Sequence, residues 1–310
     1  MSTTSTSATT PAVPPAATRR AAVLGHPVAH SLSPVLHTAA YRALGLDGWE
    51  YGVHDVTQDA LPGFLRDVDQ SWAGLSLTMP LKQVVIGLLD HVEPLAEAVG
   101  AVNTVLFSVV GGTGRGRTVT TGTNTDVHGI VAALRERLGT RRVADAVVLG
   151  GGATAASALA AIAELGCASP RVFVRSLDRI GPLREAVARM GVSPSFEVFD
   201  DKATTSALAG ADAVVSTMPK YAADTWAPLL TDLLADAGDK PGGVLLDVVY
   251  DPRPTALQSA WAALGAGTVG GERMLLHQAA EQVRLMTGRP APLAAMDEAL
   301  RAALGGPAAG

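Results

Sequence analysis

An apolar strand, a glycine-rich turn and a helix of small residues follow one another without a break from Ala146 to Leu165. The turn fits the pattern G-x-G-x-x-A, which binds dinucleotides when it follows a strand and opens a helix. Gly150 permits the tight turn, Gly152 lets the backbone approach a pyrophosphate, and Ala155 allows close helix–strand packing. The context favours dinucleotide binding over a turn without a ligand or a methyltransferase-type loop. The candidate cofactor residues of this turn are Gly150, Gly151, Gly152, Ala153, Thr154 and Ala155.

Strands and helices alternate on both sides of this turn. After it, the pattern predicts strands at 171–174, 195–199, 213–216 and 244–248, with helices at 181–190 and 226–235 between them. Before it, the pattern predicts strands at 21–24, 49–53 and 74–78, helices at 34–44, 61–68 and after Pro80, and a hairpin of 105–109 with 118–121 around the turn 111–117. This order predicts an α/β chain whose second half is a doubly wound parallel sheet.

The length of 310 residues favours about two domains. We expect a substrate domain at about 20–125, a nucleotide-binding Rossmann-type domain at 126–270, and C-terminal helices at 272–287 and 293–304 that return to the first domain within 271–310. Residues 1–19 are rich in Ser, Thr, Ala and Pro, which predicts a disordered tail and not a signal peptide.

Composition excludes several classes of protein. The formal charge of −5 without a basic run argues against nucleic acid as a partner. No apolar run reaches the ~18 residues that a membrane span needs. The single Cys167 excludes a disulfide framework, and it is expected to be packed in a cytoplasmic protein. The scattered histidines predict no metal site. The chain is expected to be a monomer or a homodimer.

A lysine stands just inside a helix in the segment Gly74 to Lys82, GLSLTMPLK. The strand is expected to stop at Pro80 and to turn into a helix with Lys82 in its first turn. A cation is disfavoured at this positive end of the helix dipole. The choice indicates a lysine that exchanges a proton beside a ligand, or an exposed lysine that tolerates its position.

Two further helix starts carry polar residues. Ser33 followed by Pro34 is typical of an N-cap and an N1 proline, and Asp126 is placed to cap a helix from 127 to 138. Two hydroxyls, those of Ser31 and Ser33, stand beside the first of these helix N-termini, which makes an anion site. Asp126 could be only a helix cap.

The end of the second strand of the doubly wound sheet selects between dinucleotides. An acidic residue there favours a free ribose 2′-hydroxyl. Here Arg175 and Arg179 follow the strand, and a guanidinium suits a 2′-phosphate. Asp178 could pair with either arginine or face solvent. The segment favours NADP over NAD.

Taken in order, the motifs from about residue 20 to 300 resemble the shikimate dehydrogenase family. They are HSLSP (30–34), GLSLTMPLK (74–82), GAVNTV (100–105), GTNTDVHG (122–129), GGGATA (150–155), VRSLDR (174–179), STMP (216–219), DVVYDPRPT (247–255) and GGERMLLHQA (270–279). Each motif alone is weak, but their ordered set is specific. The resemblance implies reversible NADPH-dependent reduction of 3-dehydroshikimate to shikimate, a step of chorismate and aromatic amino acid biosynthesis.

The resemblance also implies residue roles. Lys82 and Asp126 form the catalytic pair near the carbon that gains or loses hydride. Substrate contacts fall to Ser31 and Ser33 at the carboxylate, Ser76, Thr78, Asn103 and Gln278 at the ring hydroxyls, and Tyr250 near the carboxylate. Cofactor contacts outside the glycine turn fall to Arg175, Ser176 and Arg179, which form the NADP clamp, and to Thr217, Met218 and Gly271 beside the nicotinamide.

The chain departs from the family pattern at Ser76, where asparagine is usual, and at Ala153, where glycine is common. Two other functions stay open. One is an NAD-linked quinate/shikimate or amino-shikimate dehydrogenase, and the other is a non-catalytic ligand sensor of the same fold. The intact pair of Lys82 and Asp126 argues against the sensor.

Overall fold

The computed structural model describes residues 19–111, 117–237 and 242–305. The predicted tail, apart from its last residue, and most of the predicted turn at 111–117 lie outside these ranges. Within them, the chain forms two six-stranded sheets, one built before residue 124 and the other after residue 145.

The first sheet is mixed. Its strands are β1 (Arg19–Gly25), β2 (Trp49–Asp55), β3 (Trp72–Leu77), β4 (His91–Val92), β5 (Thr104–Val110) and β6 (Arg117–Thr123), in the order β2-β1-β3-β5-β6-β4. Strand β1 runs parallel to β2 and β3, whereas β5 is antiparallel to β3 and β6, as the predicted hairpin requires. The two-residue strand β4 was not predicted.

Four short helices accompany this sheet. They are α1 (Ser33–Ala43), α2 (Leu61–Arg66), α3 (Leu81–Val84) and α4 (Pro94–Val99). The helix after Pro80 is shorter than predicted, because α3 changes into a 3₁₀ turn at Val85–Leu88. The run of β-branched residues from Val84 to Ile86 and the following Gly87 all have low helix propensity. Helix α4 was missed.

The second sheet is entirely parallel. Its strands are β7 (Ala146–Leu149), β8 (Arg171–Val174), β9 (Ser195–Val198), β10 (Ala213–Ser216), β11 (Val244–Asp247) and β12 (Gly267–Gly270), in the order β12-β11-β10-β7-β8-β9. From β7 the chain first adds β8 and β9 on one side, and it then crosses over to add β10, β11 and β12 on the other side. In such sheets, ligands bind in the crevice between the two strands where the order reverses, which are β7 and β10 here. The predicted α/β class with a Rossmann-type sheet is therefore confirmed, and β12 is an addition to it.

Helices cover both faces of the second sheet and then return to the first. They are α5 (Asp126–Leu138), α6 (Ala153–Leu165), α7 (Gly181–Met190), α8 (Asp201–Gly210), α9 (Trp226–Ala237), α10 (Ala256–Ala263), α11 (Gly271–Thr287) and α12 (Leu293–Ala303). Because both faces are covered, the inner strands β7, β10 and β11 are short apolar runs, which made them easy to predict. Helix α10 was not predicted. Cys167 is packed in the core under α6, as expected.

Helix α11 connects the two sheets. Its first turns lie along α5, and further on it packs with α1 and α12 through the buried residues Leu36, Leu276, Val283 and Met296. The same helix also touches β3 and β5. Side chains from the middle of α11 therefore reach polar residues of β3 and β5 in the first sheet.

Candidate active site

Two adjoining cavities lie at the carboxyl ends of the parallel strands. The first has a volume of about 330 Å³ and is bordered by residues after β1 and β3 and by α11. The second has a volume of about 850 Å³ and is bordered by the residues after β7, β8 and β10. Thr78, Lys82 and Thr154 line both cavities, so the cavities meet at these side chains. A ligand in one cavity is then placed to react with a ligand in the other.

The structure brings together nearly all the predicted site residues. The first cavity is lined by Ser31, Ser33, Ser76, Thr78, Lys82, Asn103, Asp126, Thr154, Tyr250, Gly271 and Gln278. The second is lined by Gly150, Gly151, Gly152, Ala153, Thr154, Arg175, Ser176, Arg179, Thr217 and Met218. Ala155 lines neither cavity and is fully buried in the core, where it packs α6 against the sheet.

Lys82 and Asp126 form an ion pair at the junction. Lys82 Nζ lies 2.5 Å from Asp126 Oδ2, and the exposed fractions of the two side chains are 16% and 5%. Lys82 comes from the short helix α3 after β3, and Asp126 from the start of α5. The pair is partly buried, and Lys82 also lines the cavities. It can therefore hold a proton at a fixed position next to a ligand.

Asn103 fixes the other oxygen of Asp126. Its Nδ2 lies 2.8 Å from Asp126 Oδ1, while its Oδ1 accepts a hydrogen bond from the backbone N–H of Thr125 at 2.8 Å. The acceptor contact settles the orientation of the amide, because a carbonyl oxygen must face the N–H. Both oxygens of Asp126 are thus occupied, one by a cation and one by a buried amide.

The prediction that Asp126 caps α5 is wrong. The side chain points to Lys82 and Asn103 and makes no hydrogen bond to the helix backbone. Asn124 performs that task, since its Oδ1 accepts from the N–H of Val127 at 3.2 Å. Lys82, which belongs to another element, binds the Asp126 carboxylate and turns it away from the helix backbone.

The assignment of Ser33 as an N-cap is also wrong. Ser33 is the first residue of α1, the N-cap position belongs to Leu32, and no side chain caps this helix. Instead, the Ser31 hydroxyl accepts a long hydrogen bond of 3.3 Å from the N–H of Ser33. Both serines line the first cavity beside the helix N-terminus, an arrangement that favours an anion.

The opposite wall of the first cavity comes from α11 and from the loop after β11. Gln278 and Tyr250 stand there as predicted, and burial raises the pKa of the Tyr250 phenol. Gln282 also lines this wall and was missed. It lies four residues after Gln278, on the same side of a helix, and that spacing could have indicated it.

The glycine turn forms part of the wall of the second cavity. Gly150 has a φ of +115°, and a Cβ atom there would lie 2.4 Å from Thr217 Oγ1. Thr217 is fixed by a 2.8 Å hydrogen bond from its hydroxyl to the carbonyl of Leu149. Gly152 is the N-cap of the 13-residue helix α6, with no atom near the position of a Cβ. The turn therefore offers backbone N–H groups to an anion at close range.

The two arginines lie at the far side of this cavity. Arg175 follows β8 directly, and Arg179 ends a short 3₁₀ turn that the Ser176 hydroxyl caps by accepting from the N–H of Asp178 at 3.3 Å. Both guanidinium groups belong to exposed residues on the cavity wall, and Asp178 is not part of that wall. The arrangement concentrates positive charge where the second strand ends.

Residues 23–105 match the family model for the shikimate dehydrogenase substrate binding domain, and residues 271–301 match that for the shikimate 5′-dehydrogenase C-terminal domain. Shikimate dehydrogenase (NADP(+)) from Moorella thermoacetica is 35% identical over 301 residues, which cover 95% of this chain and 98% of that protein. The chain belongs to the shikimate dehydrogenase family.

Solved structures agree with this membership. The structure of the shikimate dehydrogenase from Mycobacterium tuberculosis matches with a TM-score of 0.78 and 38% identity, covering 92% of this chain and 99% of that one. The quinate dehydrogenase from Corynebacterium glutamicum in complex with NAD has a TM-score of 0.75 and 28% identity, covering 91% and 98%. The fold alone therefore does not separate the members of the shikimate dehydrogenase family.

At one position this shikimate dehydrogenase family member differs from the usual pattern inside the first cavity. Ser76, where asparagine is usual, is 4% exposed and donates a hydrogen bond to Gln282 Oε1 at 2.9 Å. The second departure, Ala153, is the first residue of α6 and lines the second cavity without closing it.

None of the helices within residues 19–111, 117–237 and 242–305 has the length and the apolar character to cross a bilayer. Across the same three ranges, no group of three or more His, Cys, Asp or Glu residues lies close enough together to hold a metal ion.

Proposed function

We propose that this protein catalyses the reversible, NADP-linked reduction of 3-dehydroshikimate to shikimate, a step in the biosynthesis of chorismate and the aromatic amino acids. The observation that carries the proposal is the position of Lys82. It lies where a small polar cavity meets a cavity built around a dinucleotide turn, and it is held there by Asp126. Membership of the shikimate dehydrogenase family supports the same reaction.

In this proposal the first cavity holds the substrate. Its carboxylate lies at Ser31 and Ser33, where two hydroxyls and the N-terminus of α1 favour negative charge. The ring hydroxyls lie against Ser76, Thr78, Asn103 and Gln278, with Tyr250 near the carboxylate. Several fixed hydrogen-bonding groups around a small ring provide the orientation that proximity catalysis requires.

Lys82 is proposed to supply and remove the proton at the reacting oxygen. When the ketone is reduced, Lys82 Nζ gives a proton to the oxygen that becomes a hydroxyl, and it takes the proton back in the reverse direction. Asp126 keeps the ammonium group at this place, and Asn103 keeps Asp126 in place. Positioned proton transfer of this kind contributes about 10²- to 10⁴-fold to a rate.

The second cavity fits NADP. The glycine turn is too crowded at Gly150 for any side chain, and Gly152 and α6 together present backbone N–H groups to a pyrophosphate. Arg175, Ser176 and Arg179 suit a 2′-phosphate, and Thr217, Met218 and Gly271 border the nicotinamide end. When it is bound, the cofactor supplies or accepts the hydride.

We also propose that the chain is divided as its motifs suggest. Residues 20–125 with 271–310 form the substrate domain, and 126–270 form the cofactor domain. The packing of α11 and α12 on α1 supports the return of the C-terminal helices to the first sheet.

The proposed function is tested by the change of nicotinamide absorbance when the protein is mixed with one ring substrate and one cofactor. Shikimate and quinate are each paired with NADP and with NAD. The expected result is turnover that is fastest with shikimate and NADP. Faster turnover with quinate or with NAD would instead assign the protein the activity of the quinate-using or NAD-linked paralogues. No turnover with any pair, by folded protein that still binds NADP, would contradict the proposed reaction.

Replacing Arg175 by alanine is expected to weaken NADP binding by about 10- to 100-fold, because a charge-assisted hydrogen bond contributes about 1.5–3 kcal/mol. NAD binding should change by less than twofold, since NAD has no 2′-phosphate. Calorimetric titration of both cofactors measures the two affinities directly.

The matched control for Arg175→Ala is Arg184→Ala. The guanidinium of Arg184 lies 5.0 Å above the Phe196 ring, and the residue is not part of the cavity wall. The control should bind NADP as the wild type does. Equal losses of NADP and NAD affinity in Arg175→Ala would show that Arg175 does not bind the 2′-phosphate.

A further inference from the structure

A tyrosine outside both cavity walls contacts two of the serines that line the first cavity. The Tyr51 hydroxyl lies 2.6 Å from Ser76 Oγ, and it also faces the Ser33 side chain. Ser33 belongs to the proposed carboxylate end of the cavity, and Ser76 to the proposed ring-hydroxyl end. The Tyr51 phenol therefore lies behind the wall of the first cavity, close to both of its proposed ends.

The register of the first sheet explains this reach. Tyr51 of β2 pairs with Ala21 of β1, and Ala21 pairs with Gly74 of β3, so the three residues share one face of the sheet. Ser76 lies two residues after Gly74 and faces the same way. Because Ala21 and Gly74 are small, the phenol can extend across β1 to Ser76.

The ring of Tyr51 is held firmly. It stacks on the imidazole of His37, with a centroid distance of 4.0 Å and an interplanar angle of 19°. Burial lowers the pKa of His37 to about 3, so the imidazole is neutral at neutral pH. Burial also raises the pKa of the Tyr51 phenol, which therefore keeps its proton. The hydroxyl always has one hydrogen to donate.

The direction of each hydrogen bond follows from Gln282. Its Nε2 lies 2.9 Å from Thr104 Oγ1 and 3.4 Å from the carbonyl of Asn103, so its Oε1 is the atom that faces Ser76. An amide oxygen only accepts, so Ser76 donates to Gln282. The hydrogen between Tyr51 and Ser76 then comes from Tyr51.

This assignment leaves Ser76 with no free hydrogen. Its Oγ donates to Gln282 and accepts from Tyr51, and one lone pair remains for a ligand. Ser76 can therefore only accept from the ligand, which must present a hydroxyl or another donor.

We infer that Tyr51 is a positioning residue for the ring substrate, which sets the direction of the Ser76 hydroxyl and makes Ser76 an acceptor. The inference rests on the proposed function. It predicts an effect on substrate affinity and not on the chemical step, because Tyr51 touches neither Lys82 nor the second cavity wall.

The test is the variant Tyr51→Phe, which keeps the ring and removes only the hydroxyl. The KM for shikimate should rise about tenfold, since the neutral hydrogen bond that orients Ser76 is lost. The kcat and the KM for NADP should stay within twofold of wild type. Tyr41→Phe is the matched control, because Tyr41 belongs to the same aromatic cluster but its hydroxyl contacts His37 at 3.3 Å. It should leave all three constants unchanged.

A double-mutant cycle with Ser76→Ala identifies the route of the effect. If Tyr51 acts through Ser76, removing its hydroxyl in the Ser76→Ala background should raise KM by less than about twofold, because the hydrogen-bond partner is already gone. A full tenfold rise in that background would contradict action through Ser76. A KM within twofold of wild type in Tyr51→Phe alone, whatever its melting temperature, would overturn the inference.

Calorimetric binding of shikimate to the same variants separates this inference from the proposed function. Absence of turnover by the wild-type protein overturns the proposed function. Equal shikimate affinity of wild type and Tyr51→Phe overturns the role of Tyr51, with or without turnover.

Discussion

Replacing Lys82 by alanine is expected to lower kcat for shikimate oxidation by about 10³-fold, within the range of a positioned general acid or base. The physical reason is the place of Nζ, which lies at the junction of the two cavities and 2.5 Å from Asp126. Water that enters the space left by the side chain is not held in a fixed position. It also donates or accepts the proton of the reacting hydroxyl much less readily than the lysine does. Initial rates at saturating shikimate and NADP measure the loss.

The matched control is Lys202→Ala, which removes an exposed lysine of α8 that lines neither cavity. It should keep wild-type kcat. Calorimetric titration should show that Lys82→Ala still binds NADP with wild-type affinity, since the dinucleotide turn is intact. A kcat within tenfold of wild type would contradict the role of Lys82 in proton transfer.

Replacing Asp126 by asparagine should lower kcat by about 10²-fold. The carboxylate accepts from Lys82 on Oδ2 and from Asn103 on Oδ1, and both partners are donors. An amide has one oxygen, so one of the two donors would face an NH₂ group in a site that is 5% exposed. Leaving a buried donor unpaired costs about 1–3 kcal/mol, and Lys82 also loses the charge that holds it.

Asp232→Asn on the exposed side of α9 is the corresponding control and should be as active as wild type. The double variant Lys82→Ala with Asp126→Asn should be no slower than Lys82→Ala alone, because residues that act as a unit are not additive. Multiplicative losses would mean that Asp126 has a function apart from Lys82.

Local patterns in the sequence were enough for much of the second sheet. The strands Ala146–Leu149 and Arg171–Val174 and the helix Gly181–Met190 have the predicted bounds. Each of these strands is a short run of mainly apolar residues, and the helix begins at Gly181 and is followed by the C-cap Gly191. The glycine turn was also predictable, because its neighbours in the chain decide its conformation.

Contacts between distant elements were not predictable in the same way. Ser33 and Asp126 were expected to cap helices, and neither does, because the partners that orient them come from other parts of the fold. Tyr51 has no recognisable motif, and only the pairing of β2, β1 and β3 brings it to Ser76. The short strands β4 and β12 carry too few apolar residues to be found by periodicity.

The most direct test of the proposed active site is a crystal structure of the protein with shikimate and NADP bound together. We expect the shikimate carboxylate at Ser31 and Ser33, the reacting hydroxyl within hydrogen-bond distance of Lys82 Nζ, and the 2′-phosphate at Arg175. Shikimate bound in the opposite orientation, with its carboxylate at Lys82, would contradict the proposed active site.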